Sequence, residues 1–226
     1  MTRLHRTRLL FGDSGTEKLK NATVMIVGVG AVGSFAAEAL ARTGIGHLIL
    51  VDFDTVEQSN INRQLFALDS TVGQAKVSVA ATRIRDINPD ITIDALNVFF
   101  DENTVLDTKP DFIIDAIDTV PSKIALYKWA AQYNIPLVSS MGAASKTDIT
   151  KIKQGMLSKT TVCPLASRVR RLVREQNLPD IPVVYSIETP HPVVGHAKNL
   201  GSVITVTGAF GLMLANWVIN KIQNLT

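Results

Sequence analysis

The chain has 226 residues, 46% apolar and 19% charged, which suits one large globular domain and excludes a disordered or low-complexity polymer. Its net charge of +3 permits an acidic partner such as nucleic acid without demanding one. Cys163 is the single cysteine, so no disulfide can form within the chain and a cytoplasmic location is expected.

In chain order, the basic opening Met1–Arg8 is followed by an apolar run that Gly12 and Asp13 interrupt, too short for a signal peptide. Thr23–Val27 is a run of β-formers that predicts a buried parallel strand. Val32, Phe35, Ala36, Ala39 and Leu40 then share one helical face, closed by Gly44. A second strand at His47–Val51 completes a βαβ unit. Val77, Ala80, Ala81 and Ile84 mark a helix that stops before Asn88-Pro89. Strands near Ile91–Ala95 and Phe112–Ala116, a helix around Lys123–Tyr133 and a strand at Pro136–Ser139 continue the alternation. The fold class is therefore α/β: a Rossmann-like, doubly wound, mostly parallel sheet with a mixed C-terminal extension. The Pro-rich Leu178–His196 segment reads as irregular chain crossing the sheet's C-terminal edge. The uncharged stretch Leu200–Asn220 has the length of a membrane span, but its Gly, Ser, Thr and Asn residues dilute it. It reads instead as a strand at Val203–Thr207 followed by a helix from Phe210.

Gly28, Gly30 and Gly33 lie between the first strand and the first helix, where close backbone approach and a helix N-terminus suit a phosphate. Asp52 follows the second strand, within reach of a ribose hydroxyl. This fingerprint alone fits NAD, FAD or ATP. Arg63 and Lys76 favour ATP, because charge that builds on phosphates needs fixed cations, whereas hydride transfer to a nicotinamide does not. Asp118, at the end of the strand near Phe112–Ala116, would supply an oxygen ligand for Mg²⁺.

The glycine loop, the stretch Asp52-Phe-Asp-Thr-Val-Glu-Gln-Ser-Asn-Ile-Asn-Arg-Gln64, Gly73-Gln-Ala-Lys76 and Asp115-Ala-Ile-Asp118 together resemble the family of ThiF, MoeB, HesA and the ubiquitin-activating enzymes. The resemblance covers about Arg6 to Ser140 well and the rest more loosely. It implies carboxylate activation by ATP and Mg²⁺, with Asp52 on the ribose, Ser59, Asn60, Arg63 and Lys76 on sugar and phosphates, and Asp118 on the metal. It also implies a homodimer in which Arg6, or alternatively Arg8, reaches the partner subunit's ATP site. One adenylation domain then spans 1–226: an N-terminal arm at 1–22, a nucleotide-binding core at 23–147, and a substrate or dimer extension at 148–226.

Zinc-binding members carry two CxxC pairs that this chain lacks, so no zinc is expected; Cys163, His191 and His196 have no common zinc spacing. Cys163 is the sole candidate for a thioester nucleophile, and an incidental small residue is the better reading. Within the family the likeness runs furthest to the tRNA threonylcarbamoyladenosine dehydratases. It is carried by Arg6–Gly12, Ala39–Gly46, Pro164–Arg171 and Val183–Ser186. Cys163 departs from that pattern, taking the place of an acidic residue, and the chain is short between Arg174 and Val183. Residues 151–175 hold seven Lys or Arg against Glu175, and Arg168, Arg170, Arg171 and Arg174 would form a helical stripe suited to RNA phosphates. The expected substrate is thus a modified adenosine in tRNA. A sulfur-transfer or carrier protein tail is the alternative partner, and an NAD-binding regulatory module is the reading from another class.

Overall fold

The computed structural model describes residues 2–192 and 200–225. Helix α1, His5–Asn21, is broken at Gly12, whose φ is +71°. There follow β1 (Thr23–Val27), α2 (Gly33–Thr43), β2 (His47–Val51), α3 (Lys76–Ile87), β3 (Thr92–Leu96), β4 (Phe112–Asp115), α4 (Val120–Gln132) and β5 (Leu137–Ser140). The remainder is β6 (Ile152–Met156), α5 (Pro164–Glu175), β7 (Pro182–Ser186) and α6 (Ile204–Gln223).

The strands form one sheet in the order β3-β2-β1-β4-β5-β7-β6. All neighbouring pairs are parallel except β6 with β7. The period of two along each strand divides the core between the faces. Val24, Ile26, Leu48, Leu50 and Ile114 pack with residues of α2, α3 and α6. Met25, Val27, Ile49, Val51 and Ile113 pack with residues of α4 and α5. Both faces are covered, which is why these strands read as continuous apolar runs. Each fully buried aliphatic side chain contributes roughly 1.5–3 kcal/mol.

Two stretches depart from the sequence reading. Leu178–His196 is not simply irregular, because β7 lies within it and sits between β5 and β6. Pro182 opens that strand, the position where a missing N–H costs least, and Val183 and Val184 are buried. Val203–Thr207 is not a strand either: Val203 caps α6, which begins at Ile204. Val206, Phe210, Leu214 and Val218 are buried at every fourth position, so the helical period overrides the β preference of the β-branched residues. Close packing reinforces it: a Cβ on Gly211 would lie 2.3 Å from the Val32 carbonyl oxygen, so only glycine lets α6 approach α2. No helix among the described residues is long and apolar enough to cross a membrane.

Candidate active site

Strand order reverses at β1, whose neighbours β2 and β4 lead to opposite sides of the sheet. Such a switch point opens a crevice at the strands' C-terminal ends. Here that crevice is a cavity of about 720 Å³, within the roughly 300–1,000 Å³ usual for small-molecule sites.

One half of the cavity is built on the glycine loop. Gly28 has φ +91°, and a Cβ there would lie 2.7 Å from the Ala116 carbonyl oxygen, so this position needs glycine on both counts. A Cβ on Gly33 would fall 1.8 Å from the Gly28 oxygen, so Gly33 holds the loop against the start of α2. Gly33 stands behind the cavity wall, while Gly28 and Gly30 form part of it. Asp52 is buried at the end of β2. Its Oδ2 accepts the Val29 N–H at 2.6 Å and its Oδ1 accepts the Asp54 N–H at 2.9 Å. The carboxylate thus ties the glycine loop to the chain leaving β2, with lone pairs to spare.

Lys76 is the first residue of α3, and its side chain is nearly buried in the cavity wall. Its Nζ donates to Asp54 Oδ2 at 2.7 Å. Arg63 also lines the cavity, with Nη1 donating to the Ser59 carbonyl oxygen at 2.7 Å and to Asn62 Oδ1 at 2.8 Å. Ser59 and Asn60 do not line the cavity. They build the turn that presents Arg63: Asn60 Oδ1 accepts the Glu57 N–H and Ser59 Oγ donates to Glu57 Oε2, both at 3.1 Å. Asp118 is exposed on the rim just beyond β4. Asp54 and the buried Gln64 belong to the same wall. Both lie within the stretch that carried the resemblance, and their place in that stretch was the signal the sequence offered for them.

Beneath Asp118 lies a network with no solvent access. Asp115, Lys123 and Ser139 are fully buried. Lys123 Nζ donates to Asp115 Oδ2 at 2.7 Å, to Ser139 Oγ at 3.2 Å and to the Ser140 carbonyl oxygen at 2.8 Å. Tyr127 Oη donates to Asp115 Oδ2 at 2.9 Å. Burial, with the Asp115 charge beside it, pushes the phenol well above its usual range, so Tyr127 stays protonated and keeps donating. The ends of β4 and β5 and the first turns of α4 are thereby fixed to one another, which positions both Asp118 and the chain after Ser140.

The other wall of the cavity comes from the chain that begins at the end of β5. Ser140–Lys146, Cys163, Arg168, His191 and Ser202 line it. Cys163 is buried, and His196, the other histidine considered for zinc, lies outside the described residues. Among the described residues no group of three or more His, Cys, Asp or Glu is arranged to hold a metal. On α5, Arg168, Arg171 and Arg174 are exposed opposite the buried Ala166, Val169 and Val173. Within that exposed stripe Arg171 pairs with Glu175 at 3.6 Å, whereas Arg170 is half-buried and stands apart from it: its Nη1 donates to Thr160 O at 2.7 Å and to Thr160 Oγ1 at 2.6 Å. Arg6 is exposed on α1, and Arg8 pairs with Asp13 at 3.0 Å.

The chain is similar to the tRNA threonylcarbamoyladenosine dehydratase of Bacillus subtilis, with 49% identity over 189 residues covering 82% of this chain and 74% of that one. Its fold matches crystal structures of the Escherichia coli tRNA threonylcarbamoyladenosine dehydratase TcdA. The complex with ATP superposes at a TM-score of 0.91 and 34% identity, covering 99% of this chain and 94% of that one. A complex of TcdA with AMP superposes equally well, at a TM-score of 0.91. The molybdopterin-synthase adenylyltransferase of Escherichia coli is 38% identical over 154 residues, 66% of this chain and 62% of that one. The ThiF family pattern matches residues 4–226. From the glycine loop to α6, this chain belongs to the ThiF family.

Proposed function

We propose that the chain is an ATP-dependent enzyme that activates the carboxylate of threonylcarbamoyladenosine in tRNA and closes it to the cyclic form, with net loss of water. The observation that carries this reading is one cavity that brings the glycine loop, Asp52, Arg63 and Lys76 together with a facing wall formed by Ser140–Lys146, Cys163, Arg168 and His191. The likeness to the Bacillus subtilis and Escherichia coli dehydratases supports the choice of acceptor.

Amides of the glycine loop and the α2 N-terminus would cradle the phosphates, and the free lone pairs of Asp52 would take the ribose hydroxyls. Lys76 and Arg63 would hold the charge that develops on the phosphates, Lys76 aimed by Asp54 and Arg63 by the Ser59–Asn60 turn. The donor set at the rim fits Mg²⁺, which typically takes one or two carboxylates and leaves the rest of its shell to phosphates and water. Asp118 would hold the ion, which when bound neutralises phosphate charge. One carboxylate oxygen of the substrate would attack the α-phosphorus of ATP and expel pyrophosphate; a nucleophile of the same nucleoside would then give up its proton, displace that oxygen together with AMP and close the ring, so that the oxygen lost as water leaves on the phosphate. No protein nucleophile is needed, because the displacing group belongs to the substrate.

The exposed face of α5 would meet tRNA phosphates. Exposed Leu200, Val203, Ile204 and Leu212 near α6 favour a homodimer, with Arg6 rather than the paired Arg8 reaching the twin subunit's ATP site. We place the enzyme in the cytoplasm with its tRNA.

Purified protein incubated with ATP, Mg²⁺ and native tRNA should convert threonylcarbamoyladenosine to a nucleoside lighter by one water, read by mass analysis of the digested tRNA. The likeness to the molybdopterin-synthase adenylyltransferase favours a second reading, in which the acceptor is the C-terminus of a sulfur-carrier protein. ATP turnover indifferent to tRNA but driven by a protein ending in Gly-Gly would replace the first reading with the second.

A further inference from the structure

The wall that faces the glycine loop contains a lysine in an unusual setting. Lys146 is 3% exposed, yet it forms part of the cavity wall. Its Nζ donates to the Gly142 carbonyl oxygen at 2.7 Å and to the Ala144 carbonyl oxygen at 3.2 Å. Among the described residues no carboxylate forms an ion pair with it. Two acidic groups bear on it electrostatically, the Cys163 thiol and, less strongly, Glu188, which is committed elsewhere. Glu188 accepts the backbone N–H groups of Thr147 and Asp148 and bonds the Thr147 hydroxyl and the His191 ring.

Two carbonyl oxygens carry partial charges only, so they leave a buried ammonium short of compensation. Burial accordingly pushes the Lys146 ammonium below its usual range. The turn that carries it is also forced: Ser145, next to Lys146, has φ +58°, a strained value for a residue with a side chain. That turn is pinned from outside, as the Ser145 N–H donates to the Gly201 carbonyl oxygen and the His191 N–H to the Ser145 oxygen, both at 2.8 Å. Chain from two distant segments therefore holds a strained turn whose product is a dehydrated cation with one donor left for the cavity.

We propose that Lys146 is the substrate-carboxylate contact of the site: its free N–H binds the threonyl carboxylate of the modified adenosine and holds it for attack on ATP. This rests on the dehydratase reading above and adds the residue that selects the acid. Arg168, exposed on the same wall, is open to the phosphates of the approaching RNA instead.

The test is the preference for tRNA bearing threonylcarbamoyladenosine over unmodified transcript, measured as a ratio of dissociation constants with ATP present. Lys146→Gln should reduce the wild-type ratio about tenfold, the low end of a hydrogen bond to a charged group, and leave affinity for ATP and for unmodified transcript unchanged. Because the substitution can also disturb the turn, the wild-type protein is tested with tRNA whose threonyl carboxylate is methyl-esterified. That ester should bind the wild type about tenfold more weakly than the acid, and Lys146→Gln should bind ester and acid alike. If the wild type binds ester and acid equally, or if Lys146→Gln keeps the full preference for the acid, the assignment of Lys146 is wrong while the dehydratase reading stands. If the wild type produces no cyclic nucleoside, both fall together.

Discussion

At the scale of single residues, the site works by pairing a cation with the group that aims it. Lys76 is held by Asp54 at 2.7 Å, so the two should not behave alike on substitution. Lys76→Ala removes the charge that faces the phosphates and should lower tRNA-dependent ATP turnover by roughly 100-fold or more. Asp54→Asn keeps the lysine but loosens its aim, and should cost about tenfold in turnover with some loss of melting temperature, since the nearly buried ammonium loses its carboxylate. Steady-state turnover of both variants, beside a thermal melt, checks this. Equal losses would mean that Asp54 itself touches the reacting groups. Lys76 was legible in the sequence because a conspicuous motif carries it. Asp54 was quoted in that motif and given no role, since only the folded chain brings it to Lys76 across 22 residues.

At the scale of elements, Glu38 joins α2 to α3, its carboxylate accepting from Arg83 Nη2 at 3.1 Å and from Arg42 Nε at 2.9 Å. Burial pushes its carboxyl up, but the hydrogen bonds and charges of Arg83 and Arg42 outweigh this and hold it below its usual range. The pair therefore stabilises the fold above the unfolded-state pKa of about 4.3 and ceases to do so as pH falls through the lower folded value. Glu38→Gln should cost roughly 1 kcal/mol at pH 7, and the gap between the two melting temperatures should close on acidification below about pH 4. Helix α5 makes a different prediction. Arg170 supports Thr160, so reversing it would mix folding with binding. Reversing exposed Arg171 and Arg174 to Glu should weaken tRNA binding and leave ATP binding unchanged. It should also reduce the salt dependence by roughly 0.7–0.9 per lost phosphate contact, read from a plot of log affinity against log salt. The stripe's existence was visible as charge; its division into an exposed face and a structural Arg170 was not, because burial depends on what α5 packs against.

At the scale of the molecule, the proposed homodimer has a direct test. If Arg6 completes the twin subunit's site, an Arg6→Ala variant mixed with a Lys76→Ala variant should recover activity, because one of the two composite sites in each heterodimer is whole. Recovery approaching half of the wild-type rate per heterodimer is expected, and none in verified heterodimers would mean that each site is complete within one chain. The mixed sheet bears on the same question of completeness: β6, β7 and α6 join the core from the C-terminal third, and the cavity draws part of its second wall from there.

What the sequence by itself determined was the set of parallel strands from β1 to β5, of which β1, β2, β4 and β5 are buried, the glycine loop, and the residues Asp52, Arg63, Lys76 and Asp118 that line the cavity. Those features are local: runs of β-formers, a helical period, and glycines at the β1–α2 turn, where a Cβ would strike backbone. The tertiary structure decided the rest. Val203–Thr207 has strand-forming residues, yet its neighbours α2 and the close approach at Gly211 make it cap and open a helix. Pro182–Ser186 carries prolines on either side, yet it finds β5 and β6 and becomes a strand. Lys146 offers no motif at all. Its burial against two carbonyl oxygens on the cavity wall arises only when residues 142–146, 188–191 and 201 meet in space, because compensation of a buried charge is a property of its surroundings and not of the segment that carries it.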